Sequence, residues 1–539
     1  MSRRRFTALG AAVLTAAGLL VALVNAPTAS AAAGGTGTGY LHTSGNQIVD
    51  ATGATVRITG INWFGMETDN KTFHGLWSNN PWKSQVDTMA RLGYNTLRIP
   101  FSNDALKAGA TASGVNDFVN PDLVGLSPLQ ILDKVIQYSG SKGMRVILDR
   151  HRPTAAGQSP LWYTPTVSEQ TWIDDWLMLA RRYAGNTTVI GADLHNEPHA
   201  EGTNPNATGA CWGCGDTTRD WRLAAERAGN AILAVQPNWL IFVEGVSCPS
   251  GGLSDVWDGD PTNDEDCGWW GGNLSKAGVF PVRLSVANRL VYSPHEYATS
   301  VYHQKWFDDP SYPANMPAIW DHYFGYLYKQ NIAPIMMGEF GTTLANDIDR
   351  VWLQSLMAYT GTGVTGMSFT YWSWNPNSGD TGGIANDDWT TINAPKQAIL
   401  SPYLIAPVGG GTSTPTPTGT SSPTPTGGTS SPLPATGACA VTYTQDNAWQ
   451  GGFQGTLTVR NTGTSAVNPW RATWTWPAGV TVASAWNATV TQSGTTVTAA
   501  GPAWSPSLAS GASVAIGFTA NGTSAVPASV ALNGASCTG

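Results

Sequence analysis

Short apolar runs alternate with amphipathic stretches along the first three quarters of the chain. The amphipathic stretches have the hydrophobic spacing of helices, as in QILDKVIQYSGSKG, TWIDDWLMLARRYAGN and WRLAAERAGNAILAV. Glycine or proline follows each of them, which is where helices commonly end. The apolar runs have the length and composition of buried strands. They lie at residues 56–65, 94–101, 144–151, 189–198, 239–245, 290–297, 334–341 and 366–374.

Eight strands that alternate with helices predict an α/β fold, and specifically a (β/α)8 TIM barrel. An open, doubly wound sheet is the alternative. Such sheets usually carry a glycine-rich first turn of the form GxGxxG, and the corresponding segment here, RITGINWFG, lacks it. Residues 40–56 precede the barrel strands, and we expect them to form a small hairpin that covers the barrel floor.

The first segment of the chain, residues 1–33, has the pattern of a signal peptide. Arginines precede an apolar run at residues 8–24, and small residues suited to cleavage follow. The run is shorter than the ~20 apolar residues that cross a membrane, and glycines interrupt it. The SRRRF segment also has the twin-arginine pattern, so both Sec and Tat export are open. We therefore expect a secreted, extracellular protein.

Three further segments follow the signal peptide. Residues 34–407 contain the predicted barrel, and residues 408–437 are almost entirely Gly, Ser, Thr and Pro. Such a composition cannot bury enough apolar surface to fold, so it predicts an extended linker. Residues 438–539 contain short segments such as GTLTVRNTG and SVAIGFTANG, with few charges. This pattern predicts a C-terminal all-β sandwich module.

Charge and aromatic content narrow the class of partner. Only 12% of the residues are charged, and the formal net charge is −8. Binding of nucleic acid or an anionic membrane needs clustered Lys and Arg, so we expect neither as a partner. The 24 tryptophans are more than a core uses, and they indicate broad faces for flat, neutral partners such as sugars. We expect a monomer without a cofactor.

Six cysteines in an exported chain indicate disulfide bonds. The sequence does not choose among the possible pairings; we expect Cys211–Cys214, Cys248–Cys267 and Cys439–Cys537. The CWGC segment is open to interpretation as a redox or zinc pair. No second CxxC exists and the export signal disfavours reduced thiols, so a structural disulfide is the favoured interpretation.

Two glutamates lie at the ends of apolar strands: Glu197 in VIGADLHNEPH and Glu339 in PIMMGEFGT. A carboxylate in such a place costs desolvation free energy unless a site uses it, although a structural salt bridge is the alternative for either one alone. Active residues of a barrel lie at the carboxyl ends of its strands. Polar or aromatic residues lie at the other predicted strand ends as well: Arg98, His151, Asn196, His295, Tyr297 and Trp372.

This set of residues fits glycoside hydrolysis. A glycosidic oxygen is a poor leaving group, so one carboxylic acid must protonate it while a second carboxylate stabilises or attacks the sugar carbon. Retention or inversion of configuration follows from the separation of the two carboxylates, roughly 5 Å or 6.5–9.5 Å, which the sequence does not give.

The barrel segment resembles glycoside hydrolase family 5, the cellulase-type barrels with acids on strands 4 and 7. The resemblance extends through LRIP, DRH, HNEPH, HEY, GEFG and FTYWSWNPNSGDTGG. It implies a retaining enzyme with a covalent glycosyl-enzyme, in which Glu197 is the acid/base and Glu339 the nucleophile. It also implies supporting roles: Asn196 contacts the sugar 2-hydroxyl, Arg98 and Tyr297 flank the nucleophile, His151 and His295 donate or accept hydrogen bonds around the same subsite, and Trp372 is its stacking floor.

An acid/base must hold a proton near neutral pH, so we expect the charge of Glu339 to raise the pKa of Glu197, and Arg98 to keep Glu339 ionised. The chemistry needs no metal. The acidic loop at residues 255–267 lacks EF-hand spacing, and we expect a solvated loop there. Other tryptophans are candidates for a long groove, although some are expected in the core: Trp63, Trp77, Trp212, Trp269 and Trp270.

The C-terminal module resembles a family 2 carbohydrate-binding module of the type that binds crystalline cellulose. The resemblance implies a planar binding surface formed by Trp449, Trp486 and Trp504, with the core expected to include tryptophans among Trp470, Trp474 and Trp476. The whole chain is therefore predicted to be a secreted endo-β-1,4-glucanase (cellulase) that acts on cellulose or a related β-1,4-glucan. A β-mannanase or xyloglucanase of the same family is one alternative, and a non-catalytic carbohydrate-binding protein is another.

Overall fold

The computed structural model describes residues 35–253, 265–407, 439–449, 451–486, 488–501 and 507–538. The predicted signal peptide and linker lie outside these residues, as does most of the acidic loop at 255–267. The chain divides into two compact units, one up to residue 414 and the other from residue 415. Within the described ranges, none of the helices combines the length and the apolar character needed to span a bilayer.

The first unit begins with three short antiparallel strands. They are β1 (His42–Ser44), β2 (Gln47–Val49) and β3 (Thr55–Val56). Ile48 and Val56 from this small sheet pack in one apolar cluster with Ile147, Leu240 and Met336, which lie in the amino-terminal halves of later strands. The sheet therefore covers the floor of the unit, as predicted for residues 40–56, with three strands in place of a two-stranded hairpin.

Eight parallel strands form the main sheet of this unit. They are β4 (Thr59–Asn62), β5 (Thr96–Ser102), β6 (Arg145–Arg152), β7 (Val189–Asp193), β8 (Leu240–Val243), β9 (Leu290–Tyr292) with its continuation β10 (His295–Tyr297), β11 (Met336–Met337) with its continuation β12 (Glu339–Gly341), and β13 (Ser368–Tyr371).

The strand order closes this sheet into a barrel. Each strand pairs with its predecessor in the chain, β13 returns to β4, and a parallel bridge between Tyr292 and Ile335 joins β9 to the start of β11. Nearly every strand residue is buried, because helices cover the outer face; this explains why the runs are continuously apolar and do not alternate. Each of the eight predicted runs contains one barrel strand, so the predicted fold is confirmed.

Helices follow most of the strands. They are α1 (Trp82–Leu92), α2 (Asn103–Leu106), α3 (Pro128–Ser141), α4 (Glu169–Arg182), α5 (Trp221–Val235), α6 (Met316–Trp320), α7 (Tyr326–Lys329), α8 (Asp347–Thr360) and α9 (Ala394–Leu400). The three amphipathic stretches quoted above form α3, α4 and α5. The connection from β8 to β9 is the exception to the alternation, since its described residues contain no helix.

The second unit contains two antiparallel sheets. Its strands are β14 (Cys439–Trp449), β15 (Gly452–Asn461), β16 (Arg471–Thr475), β17 (Thr481–Trp486), β18 (Thr489–Ser493), β19 (Thr496–Ala500), β20 (Ser513–Asn521), β21 (Ala528–Leu532) and β22 (Ala535–Ser536). One sheet has the order β14-β15-β20-β17 and the other β18-β19-β16-β21-β22. A single apolar cluster draws on both sheets and includes Trp470, Trp474 and Trp476, as predicted. The all-β prediction is confirmed.

All six cysteines form disulfides. The bonds are Cys211–Cys214, Cys248–Cys267 and Cys439–Cys537, which are the three expected pairs. The second of them lies in the helix-free connection between β8 and β9. The third joins the first strand of the second unit to the end of the described chain.

Removing the Cys439–Cys537 bond is expected to destabilise the second unit alone. The bond spans 98 residues, and the chain-entropy model gives roughly 4–5 kcal/mol for a loop of that length. Scanning calorimetry of the full chain with both residues changed to Ser should move the second unit's transition to lower temperature and leave that of the barrel in place. A Cys211→Ser, Cys214→Ser double variant is the control. Its bond lies in the first unit and spans three residues, so its removal should leave the transition of the second unit in place. An unmoved second-unit transition would contradict the prediction.

Candidate active site

Arg98, the third residue of β5, lies at the centre of the carboxyl end of the barrel and is fully buried. Its guanidinium group contacts four carboxylates: Asp149 at 3.1 Å, Asp193 at 2.9 Å, Glu244 at 3.1 Å and Glu339 at 2.6 Å. Burial opposes its positive charge, but these carboxylates raise the pKa of Arg98 well above its ordinary value. One side chain thus connects residues from four other strands or strand ends.

Glu339, the first residue of β12, is buried and receives two strong donors. Its Oε1 lies 2.6 Å from Nη1 of Arg98, and its Oε2 accepts a hydrogen bond of 2.6 Å from the hydroxyl of Tyr297. Burial, followed by the charge of Glu339, raises the pKa of Tyr297 well above its ordinary value, so this hydroxyl keeps its proton. Both oxygens of Glu339 are therefore fixed in position.

Glu197 lies across from Glu339, beyond the end of β7. Its Oε1 lies 3.1 Å from Nδ1 of His295, and its Oε2 accepts a hydrogen bond of 3.1 Å from the side-chain amide of Gln158. One oxygen of Glu197, one oxygen of Glu339 and a ring nitrogen of His295 all lie within 4.8 Å of one another. The two strand-end glutamates that the sequence singled out meet in one place.

The expected rise in the pKa of Glu197 is wrong for this structure. Burial acts to raise it, but the contact with His295 outweighs burial and lowers the pKa of Glu197 below its ordinary value. Burial likewise opposes a charge on His295, yet Glu244 and Glu339 raise the pKa of His295 well above its usual range. Because His295 lies 3.1 Å from Glu197 and 3.6 Å from Glu339, its positive charge lies between the two acids.

His151 and Trp372 form an aromatic wall beside Glu339. The two rings stack with centroids 5.3 Å apart and an interplanar angle of 8°, and Phe64 also stacks with Trp372 at a centroid distance of 5.3 Å. Burial lowers the pKa of His151 to about 3, so its ring is neutral, and its Nδ1 lies 2.7 Å from Asp149. Asn196 accepts a hydrogen bond from Arg98; its buried Nδ2 has no hydrogen-bond partner among the described residues.

These side chains surround a groove of about 540 Å³. Its lining includes Glu197, Glu339, His151, Tyr297, Trp372, Trp269 and Trp270. Of the five other candidate tryptophans, Trp63 and Trp212 are core residues, whereas Trp77 and Trp270 are 41% and 47% exposed. Trp269 is largely buried but its surface forms part of the groove. The groove is thus apolar and aromatic around a strongly charged centre, which is the usual form of a site for a small organic ligand.

Three buried carboxylates of this site escaped the sequence analysis: Asp149, Asp193 and Glu244. All three lie at the carboxyl ends of barrel strands and contact Arg98. The signal for Glu244 was present, because it ends the apolar run LIFVE as Glu197 and Glu339 end theirs. The signal for Asp149 lies inside the DRH motif, two residues before the candidate His151.

Three groupings of acidic and histidine side chains are close enough to hold an ion. They are Asp149, His151 and Glu339; Glu197, His295 and Glu339; and Asp149, Asp193 and Glu244. Each of them contains a carboxylate that already pairs with Arg98. In each grouping the guanidinium group of Arg98 therefore already pairs with at least one of the carboxylates that an ion would need.

The predicted cellulose-binding face of the second unit is described only in part. The backbones of Trp449 and Trp486 lie in β14 and β17, but their side chains fall outside what the structure describes, and so does the whole of Trp504. The planar arrangement of the three rings stays a prediction.

Comparison with known proteins supports an assignment for both units. Residues 49–378 match the family model described as "Cellulase (glycosyl hydrolase family 5)", and residues 439–537 match "Cellulose binding domain". The chain is 41% identical over 501 residues to the "Major extracellular endoglucanase" of Xanthomonas campestris pv. campestris, which covers 92% of this chain and 97% of that protein. It is 50% identical over 367 residues to an "Endoglucanase" of Paenibacillus polymyxa, covering 67% of this chain and 86% of the relative.

A solved structure agrees with the barrel. The hyperthermophilic endocellulase from the archaeon Pyrococcus horikoshii superimposes with a TM-score of 0.63 at 40% identity, over 68% of this chain and 98% of that one. The matched family model spans more than half of the chain, and it includes all eight residues that the sequence placed at the active rim. The chain therefore belongs to glycosyl hydrolase family 5, the cellulase family, and carries a cellulose binding domain in its second unit.

Proposed function

We propose that this protein is a secreted, retaining endo-β-1,4-glucanase that acts on cellulose and is bound to it through the second unit. The observation that carries the proposal is the approach of Glu197 and Glu339 within 4.8 Å. Retaining enzymes have carboxyl groups about 5–5.5 Å apart, whereas inverting enzymes need about 6.5–9.5 Å to admit a water molecule. The glucanase names of the relatives support cellulose as the substrate.

In the first step Glu339 attacks the anomeric carbon. The glycosidic C–O bond breaks as the bond from carbon to Glu339 forms, and Glu197 gives its proton to the departing oxygen. Arg98 and Tyr297 hold the attacking carboxylate, so little reorganisation is needed. Asn196 has an amide nitrogen, without a hydrogen-bond partner among the described residues, for the sugar 2-hydroxyl, and Trp372 supplies a flat face for the sugar ring.

In the second step Glu197 acts as a base. It takes a proton from water, the water oxygen attacks the anomeric carbon, and the bond to Glu339 breaks, which restores the original configuration. Once Glu339 is bonded to the sugar its negative charge is gone, and the contact with His295 favours ionised Glu197, as a base requires. Burial by a bound sugar acts in the opposite direction, because removal of water disfavours the carboxylate, so substrate binding increases the protonated fraction needed for the first step.

The remaining segments fit an extracellular polysaccharide-degrading enzyme. We assign residues 1–33 to a signal peptide, 34–407 to the hydrolase, 408–437 to a linker and 438–539 to the binding module, in a monomeric protein. The relative from Xanthomonas campestris is named as extracellular, which agrees with export. An extended linker would keep the hydrolase at high effective concentration near a surface that the module has bound.

A substrate panel with product sizing tests the proposed specificity. We expect the highest kcat/KM on carboxymethyl cellulose, with lower values on mannan, xyloglucan and xylan, and an early mixture of long products that indicates internal cleavage. NMR of the first products should show the β-anomer, because two displacements retain configuration. A preference for mannan or xyloglucan would identify that polymer as the substrate of the same reaction. An α-anomeric first product would exclude the retaining mechanism.

Glu339→Gln is expected to lower kcat/KM on carboxymethyl cellulose by on the order of 10⁴-fold or more, since an amide cannot form the covalent intermediate. Adsorption to crystalline cellulose should be unchanged. Glu201→Gln is the matched control, because Glu201 is an exposed carboxylate on the segment that follows Glu197. Near-normal turnover of the Glu339 variant would refute its assignment as the nucleophile.

Replacing Trp449, Trp486 and Trp504 together by Ala is expected to abolish adsorption to crystalline cellulose while soluble-substrate kcat/KM stays as in the wild type. Each ring covers on the order of 100 Å² of sugar, or ~2.5 kcal/mol before association costs, so the loss in partition should exceed ~100-fold. Val526→Ala, at an exposed apolar residue of the unit, is the control. Equal adsorption of the triple variant and the wild type in a pull-down assay would show that the three tryptophans do not form the binding face.

A further inference from the structure

Glu244 has no role in the chemistry described above, yet it is hydrogen-bonded to the main chain of the acid/base. It follows β8 and is completely buried. Its Oε2 accepts a hydrogen bond of 2.7 Å from the main-chain N–H of Glu197. Its Oε1 lies 3.1 Å from Nη2 of Arg98 and 3.1 Å from Nε2 of His295. Both oxygens are therefore engaged by groups of the active centre.

The main chain at Glu197 is in an unusual conformation. Its φ of 53° lies in the left-handed region, which residues other than glycine rarely adopt and which persists only when surrounding contacts enforce it. The hydrogen bond from its N–H ends on Oε2 of the buried Glu244, whose other oxygen is held at the same time by Arg98. Glu244 is thus the group that stabilises the backbone turn from which the Glu197 side chain projects.

Glu244 also fixes the other support of the acid/base, the ring of His295. The Nε2 edge of this ring faces Glu244 and its Nδ1 edge faces Glu197, 3.1 Å away in each case. The contact at Nε2 is an ion pair without hydrogen-bond geometry, and it favours the charged form of the ring that Glu197 meets. Glu244 therefore reaches Glu197 by two routes, one through its main chain and one through its carboxylate.

We propose that Glu244 is a positioning residue for the acid/base: by fixing the main chain of Glu197 and the ring of His295, it aims the Glu197 proton at the departing oxygen. This inference rests on the proposed function, in which Glu197 is the acid. It predicts that loss of Glu244 impairs protonation of the leaving group and leaves attack by Glu339 nearly intact.

The backbone of Gly271 packs closely against Glu244 and Glu197. A Cβ at this position would lie 2.3 Å from Oε2 of Glu244 and 3.4 Å from Cα of Glu197, and the residue has a φ of 68°. The loop after β8 thus closes over the hydrogen bond between the two glutamates. Gly271→Ala would displace the Glu244 oxygen without removing any charge.

The test is the dependence of kcat/KM on leaving-group acidity for a series of aryl β-cellobiosides. A strongly acidic phenol departs without a proton, whereas unsubstituted phenol needs one. In Glu244→Gln, kcat/KM should change by less than ~3-fold for the 2,4-dinitrophenyl substrate and fall by on the order of 100-fold for the phenyl substrate, which is the usual contribution of general acid catalysis. The slope of log kcat/KM against phenol pKa therefore becomes steeper than in the wild type.

The slope separates positioning from a general structural loss. All substrates are measured on one preparation, so a fraction of unfolded protein lowers every rate equally and leaves the slope unchanged. Asp193→Asn is the matched control: Asp193 is a second buried carboxylate on Arg98, and the hydrogen bonds to its side chain come from Arg98 and Ser293. Any loss in this variant should be equal across the series. Gly271→Ala provides an independent test if Glu244→Gln does not fold, and it should also steepen the slope.

The outcomes distinguish this inference from the proposed function. Glu197→Gln is the reference for complete loss of the acid and should give the steepest slope. A wild-type slope in Glu244→Gln beside a steep one in Glu197→Gln overturns the inference alone. A wild-type slope in Glu197→Gln itself overturns the assignment of the acid/base. Equal steepening in Asp193→Asn would also overturn the inference, because the effect would then belong to the charge balance around Arg98.

Discussion

The active end of the barrel depends on one buried guanidinium group. Arg98 contacts four buried carboxylates, and a single positive charge cannot neutralise them all. Taking charges out of water is expensive, so the excess must be offset by protons or by a second cation. Burial raises the pKa of Asp149 to about 7 and that of Asp193 to about 6, and His295 carries further positive charge at the edge of the cluster. The acidic groups of this network therefore share protons around the fixed positive charge of Arg98.

The barrel is what allows such a cluster to form. Its parallel strands place their carboxyl ends at one rim, so residues from β5 to β8 and from β12 converge although they are far apart in sequence. Helices and loops exclude water from the rim, which strengthens each electrostatic contact. The amino ends of the strands bury apolar residues against the small sheet β1–β3. The apolar packing that stabilises the barrel and the residues of the active site thus lie at opposite ends of the same sheet.

Much of this was predictable from the sequence, for identifiable reasons. Each barrel strand is a continuous apolar run, and Glu197 and Glu339 each interrupt the end of such a run, so local pattern was sufficient to find them. Asp193 and Glu244 were missed because an acid near a strand end has a common structural explanation, and only their contacts with Arg98 distinguish them. The direction of the Glu197 pKa was wrongly predicted, since it depends on the position of His295, about a hundred residues away. An expectation based on the two glutamates alone leaves out the charge of His295.

The different partners of the two glutamates explain how one cluster supports two opposite roles. Glu339 is held by the guanidinium group of Arg98 and by the hydroxyl of Tyr297, which keeps its proton. Glu197 is held by the neutral amide of Gln158 and by the ring of His295, whose positive charge is favoured by its acidic neighbours. An acid/base must gain and lose a proton in every cycle, whereas a nucleophile must stay ionised until it attacks. The division of labour between two chemically identical side chains therefore follows from their donors: a guanidinium group and a hydroxyl bind Glu339 at 2.6 Å, whereas an amide and an imidazole lie 3.1 Å from Glu197.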